Sequence, residues 1–304
     1  MRHAGKYFGR FDCKKCLRRQ QIPFLQMKER SPAQFVKLGQ ELRDCIEHQE
    51  VWHWQREQYQ QHRANLEPGQ LLLVLDFTSF SLEPDAEESD QRMVYVQDFI
   101  IVMEFIEDGK LQTEYIDFIC DSPDFNKHDY HFVCSCSFVY YSIDAVFQSI
   151  EVWSDGGPHH FKTKYCQWMW HFLSSASFSN KLIAHNFFAS YHGHSLADSH
   201  AAADKRLLHA AYNTSELQRK VVTEDPISWG PSSGTALSSL LTENASRTQA
   251  FYLSSIPRDA DIKPNIAGLN LIKSKHRFEY VEGTCLAFKR TGQPIGLPFE
   301  FKHL

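Results

Sequence analysis

The stretch "QLLLVLDFTSF", residues 70–80, constrains the fold of this chain more than any other. Its apolar run, 71–75, leaves no polar face, so it reads as a strand buried on both sides within a covered sheet. The run stops at Asp76. A second strand-like segment, "SIEVWSD" (149–155), also stops at a carboxylate, Asp155, before Gly156, Gly157 and Pro158. Turn chemistry accounts for the glycines and the proline. It does not account for an acid at a strand's end, where open α/β sheets place their ligands.

Around these two strands the chain divides into five stretches. Residues 1–30 form a basic arm containing Cys13-x-x-Cys16. That pair is half of a Zn²⁺ site, and no second pair follows at finger spacing. The simpler reading is two free thiols. Residues 31–68 form a helical lead-in: Ser31-Pro32 starts it, Phe35, Leu38, Leu42, Cys45 and Ile46 give it helical spacing, and Glu67-Pro68-Gly69 breaks it. Residues 69–215 hold the candidate catalytic core. Two strand-like runs over 92–120 turn at Glu107-Asp108-Gly109-Lys110, and 121–147 changes to helical spacing. A helix over 161–176, a strand over 180–190 and an Ala-rich helix over 195–213 follow. Residues 216–260 have linker character, and 261–304 alternate like a small β-rich extension.

With 304 residues, 42% of them hydrophobic, the chain can bury a full core. A formal charge of −5 speaks against a wholly basic nucleic-acid coat, but 32 Lys and Arg leave room for a local basic groove. No run approaches the length of a membrane span, and the start lacks an apolar signal core. The eight cysteines show no secreted framework. A soluble intracellular protein with reduced thiols and no membrane partner is expected.

The order strand, hairpin strands, helix, strand, helix, strand, helix is that of the ribonuclease H-like fold. The expected class is therefore α/β: a ribonuclease H-like mixed five-stranded sheet flanked by helices, with an N-terminal helical segment and a small C-terminal β-rich extension. In such a sheet the first and fourth strands are neighbours, so Asp76 and Asp155 face each other. Asp198, near the start of the last helix, comes over the same edge. Asp204 is its rival as third acid, but the two point to opposite sides of the helix. Three close carboxylates repel and need a divalent cation to stay ionised. Oxygen-only ligation suits Mg²⁺ or Mn²⁺, and a pair of such ions can activate water and stabilise the leaving oxygen of a phosphodiester. An alternative Zn²⁺ site would draw on His159, His160, His192 and His194 with Cys166.

"VLDFTSF", "EVWSDGGPHHFKTKY" and "NFFASYHGHSLADSHAAADKR" together resemble the catalytic core of eukaryotic DDE/D transposases, over roughly residues 45–213. The resemblance implies Asp76, Asp155 and Asp198 as catalytic metal ligands in metal-dependent DNA cleavage and strand transfer. Lys162, Lys164, His192, His194, Lys205 and Arg206 are the expected DNA-contacting groups. DNA as partner, homo-oligomerisation in the active form and a nuclear location follow from the same resemblance. The chain departs from the pattern at Ser79-Phe80, at His194, where the family has lysine, and at Ala201–Ala203, where it has glycine. Those departures give the alternative, a domesticated transposase that binds DNA without cutting it. A ribonuclease H-like nuclease is a further alternative.

Overall fold

The computed structural model describes residues 14–28, 31–82, 94–120, 130–133, 136, 147–156, 161–175, 182–189, 195–212, 238, 241–242, 247–253, 272–281, 284–294 and 296–299. Its centre is a mixed sheet flanked by helices. The expected five strands are β1 (Gln70–Leu82), β2 (Val94–Glu107), β3 (Lys110–Cys120), β4 (Ser149–Ser154) and β5 (Leu182–Phe187). They lie in the order β3-β2-β1-β4-β5. β2 is antiparallel to both β1 and β3, whereas β1, β4 and β5 run parallel.

The sheet does not stop at five strands. It has nine, because β6 (Thr248–Tyr252) pairs with β3, and β7 (Arg277–Val281), β8 (Thr284–Phe288) and β9 (Leu297–Phe299) continue it beyond β5. This corrects the five-stranded expectation. The physical reason is edge protection: β5 is buried at all but its first residue, and its open backbone would invite pairing with another chain. β7 caps it antiparallel and adds Phe278 and Tyr280 to the main core.

Both faces of the sheet are covered. Leu71, Leu73 and Leu75 join Phe99, Ile101, Phe118 and Val152 on one face, beneath α3 (Lys164–Leu173) with Met169, Trp170 and Leu173. Leu72, Val74, Ile100, Val102 and Trp153 point the other way, towards Ala197 of α4 (Leu196–Tyr212) and Tyr59 of α2 (Pro32–Ala64). The alternation along β1 fixes which acids face α4: Asp76 shares the side of Leu72 and Val74. Asp108-Gly109, both at positive φ (51° and 71°), close the β2–β3 hairpin with the backbone such a two-residue turn demands.

The lead-in is one 33-residue helix, α2, preceded by α1 (Lys14–Lys28). The described part of the basic arm is thus helical. It packs Ile22 against Leu38 and Cys45, and Arg18 donates to Glu41 at 2.9 and 3.0 Å. Gln55, fully buried on α2, anchors that helix to the C-terminal strands. Its Nε2 donates to the Phe187 carbonyl (2.9 Å) and Thr291 Oγ1 (2.9 Å), and its Oε1 accepts the Thr291 N–H (3.0 Å). Arg277 on β7 grips Glu151 on β4 through both carboxyl oxygens (2.8 and 2.9 Å), tying the added strands to the central ones. Among the described residues, no helix is long and apolar enough to cross a membrane. The expected helical spacing over 121–147, the linker over 216–260 and most of 254–271 lie largely outside the described residues.

Candidate functional site

Asp76 sits in the middle of β1, opposite Ile100 of β2 and one residue past the end of the pairing with β4. The parallel register pairs Leu75 with Ser154, the last residue of β4, so the next residue, Asp155, comes alongside Asp76. Asp198 lies in the first turn of α4, on the face of the sheet that Asp76 points to. It is exposed, and its Oδ2 accepts the Ser195 N–H at 2.7 Å while Ser195 Oγ accepts the Ala197 N–H at 3.2 Å. This reciprocal cap starts the helix where it does.

The charges of Asp198 and Asp155 both act on Asp76, although the ligand atoms of the three do not close to within 4.8 Å of one another. Burial pushes its carboxyl up to about 7, and the charges of Asp198 and Asp155 push the same way. A hydrogen bond from the Phe77 N–H (2.8 Å) opposes them in part. Without a cation, the site therefore resists full ionisation near neutral pH. An all-oxygen donor set of this kind fits Mg²⁺ or Mn²⁺.

The other expected contact residues are placed differently. Lys162, just before α3, is 3% exposed, with Nζ 4.9 Å above the Phe187 ring. Burial pulls its ammonium down to about 7, and Asp155 partly offsets this. It lines a cleft of about 340 Å³ with Lys15, His48, His276 and Lys289, near Glu47. Lys164 opens α3, its Nζ 5.0 Å from the Tyr165 ring centroid. Lys205 and Arg206 are exposed on α4. His192, His194, His159, His160 and Cys13 lie outside the described residues, whereas Cys16 is buried in α1 and Cys166 in the core beneath the sheet.

A second polar group lies deeper under α4, and sequence reading did not find it. The core-facing stripe of this helix is Ala197, His200, Asp204 and Leu208. His200 Nε2 lies 3.0 Å from Asp117 Oδ2 on β3 and 3.1 Å from Asp204 Oδ2, and its ring stacks on Tyr115 at 4.0 Å. Burial raises Asp117, and His200 pulls it back. Asp204 is pushed up to about 7 by burial and then by Asp117. Asp98 on β2, fully buried, is held well above the usual carboxylate range by burial and by Asp117, Asp204 and Asp76. One ligand atom each from Asp117, His200 and Asp204 fall within 4.8 Å of one another, so this group could hold a metal ion. The available signals were acids in the middle of apolar strands ("VYVQDFIIV", "YIDFIC") and a His-x-x-x-Asp pair on the apolar stripe of a helix.

Ser154 Oγ and His185 Nε2 are 2.8 Å apart, but both residues are buried and His185 also contacts Gln167 Nε2, to whose Oε1 Tyr280 donates. Burial pulls His185 down to about 3. The pair is structural. A nucleophile there would have no access to substrate.

No curated protein and no solved structure matches the chain. Residues 55–291 match a family model described as Domain of unknown function (DUF8701). The match runs from Gln55 of α2 through β1–β8, takes in both acidic groups, and covers well over half of the chain: the protein belongs to this family.

Proposed function

We propose that the protein is a transposase-like, divalent-metal-dependent enzyme that cuts DNA and transfers the freed strand. The observation that supports this reading is that Asp155 follows the last β4 residue paired with β1, next to Asp76, and that the charges of Asp155 and Asp198 both act on Asp76. The central order β3-β2-β1-β4-β5, with β2 antiparallel, supports a ribonuclease H-like core within the larger sheet. So does the resemblance of the three motifs to DDE/D transposases.

In this reading Asp76, Asp155 and Asp198 would hold the Mg²⁺ or Mn²⁺ ions. Bound there, the cations supply water activation and charge stabilisation at the phosphodiester. Asp76 and Asp155 hold fixed positions because their strands are hydrogen-bonded neighbours. Exposed Lys205 and Arg206 on α4 receive the DNA backbone, a salt-sensitive contact. Strand transfer at two element ends calls for a homo-oligomer, and a chromosomal substrate for nuclear action.

A non-catalytic DNA-binding descendant is the second reading, favoured by the changes at Ser79-Phe80, His194 and Ala201–Ala203. Supercoiled plasmid incubated with Mg²⁺ or Mn²⁺ decides between them. Nicking by the wild type that disappears in Asp155→Asn, with circular dichroism unchanged, supports the enzyme. DNA binding without nicking selects the second reading. Cleavage confined to the RNA of an RNA–DNA hybrid would make the protein a ribonuclease H-like nuclease instead.

A further inference from the structure

We infer that Asp117, His200 and Asp204, backed by Asp98, bind one divalent transition-metal ion at a site separate from the Asp76–Asp155–Asp198 edge. The inference does not depend on the transposase reading. The donors come from three elements that the fold has already brought together. β2 and β3 are in the register that pairs Asp98 with Ile119 and Ile100 with Asp117, so both acids point to the α4 face as diagonal neighbours. Ile119 packs there with Leu208, which places the α4 stripe directly over them.

Three features point to a cation. Nε2 of His200 stands 3.0 and 3.1 Å from the two carboxylate oxygens, and ligands in an octahedral set with bonds of about 2.1 Å lie about 3.0 Å apart. Three carboxyl groups face a single imidazole in a buried layer; ionised together they would carry an excess of negative charge that a dication offsets. Neither carboxyl oxygen of fully buried Asp98 has a hydrogen-bond partner among the described residues, although a buried polar group ordinarily has one. An ion, with any water it retains, supplies what that carboxylate lacks.

The mixed imidazole–carboxylate donor set selects Mn²⁺, Fe²⁺ or Zn²⁺ over Mg²⁺. The ion would bolt α4 to β2 and β3. Because His200 follows Asp198 by two residues, it would also fix the turn that presents Asp198 to the sheet edge.

Mn²⁺ is the probe of choice, since thiols elsewhere in the chain compete poorly for it. Free Mn²⁺ is counted by electron paramagnetic resonance in the full-length Asp155→Asn chain and in Asp155→Asn/Asp204→Asn. The inference expects one Mn²⁺ per chain in the first, its loss in the second, and retention when Mg²⁺ is added in equal amount. It also expects the thermal midpoint of Asp155→Asn to rise by roughly 4 °C at roughly a hundredfold excess of Mn²⁺ over its dissociation constant. Equal Mn²⁺ binding by the two folded variants overturns it. So does an unchanged midpoint of Asp155→Asn in Mn²⁺, a result that needs no Asp204 variant to fold. The imidazolium alternative, in which Nε2 donates a proton to both carboxylates, predicts those two outcomes. Neither result bears on plasmid nicking, so failure here and failure of the enzyme reading are distinguishable.

Discussion

Asp76 is costly to ionise where it stands, and that cost has a measurable signature. Its carboxyl is raised from 3.8 to about 7, so between about pH 4 and pH 7 the folded chain holds a proton that the unfolded chain has lost. Stability from this residue is therefore lost as pH rises through that window. Buried His185 and His276, both pulled down to about 3, act in the opposite sense up to about pH 6.5, so the total slope mixes signs. The difference between wild type and Asp76→Asn isolates the acid. In urea unfolding without divalent ions, Asp76→Asn should gain stability over wild type as pH rises from about 4.5 to about 7. Mn²⁺ at neutral pH should narrow the gap by stabilising the wild type. A gap independent of pH would mean that Asp76 ionises freely. At this scale the sequence was informative where an acid ended an apolar run, as at Asp76 and Asp155, although β1 itself continues past Asp76 to Leu82. It was harder to read where an acid sat inside an apolar run: Asp98 and Asp117 stand between apolar neighbours on the face that α4 covers. Only the docking of α4 over that face turns them into a buried group.

Among the elements, α2 shows how a polar residue can be structural. The apolar spacing predicted this helix but gave no reason for its glutamines, and the fold supplies one at Gln55. Its amide satisfies the Phe187 carbonyl at the end of β5 and both the N–H and the hydroxyl of Thr291. Gln55→Ala leaves the buried Thr291 N–H without its partner, while the Phe187 carbonyl keeps His276 Nδ1 and the Thr291 hydroxyl keeps Asn186 Oδ1. It should cost about 1–3 kcal/mol in urea unfolding, the range for one orphaned buried group. A change under about 0.5 kcal/mol, the range of ordinary surface substitutions, would show that α2 is not anchored there. Strand and helix spans were legible to within a few residues because their periodicities are strong: 70–80 became Gln70–Leu82, and 195–213 became Leu196–Tyr212. α1 was not legible as a packed helix. Its apolar stripe is thin: among the described residues Ile22 and Leu25 pack with Leu38, Leu42 and Cys45 of α2.

For the whole molecule, the order of the five central strands followed from the alternation of elements, whereas the extension to nine did not. β6 to β9 are short, and nothing in their local pattern says which edge they join. Their contribution is nonetheless central, since Phe278, Tyr280, Cys285 and Ala287 belong to the main core. A chain ending at Lys275 should therefore leave β5 open and aggregate on size-exclusion chromatography, with the acids intact in sequence but not in place. A monodisperse, folded product would show instead that the central strands stand alone. The account as a whole rests on three aspartates from two strands and a helix meeting over one cation site. Crystals grown with Mn²⁺ and measured at its absorption edge test this most directly. The account predicts anomalous density bridging the Asp76 and Asp155 carboxylates with Asp198 beside it; an empty map there, with the three side chains turned apart, would contradict it.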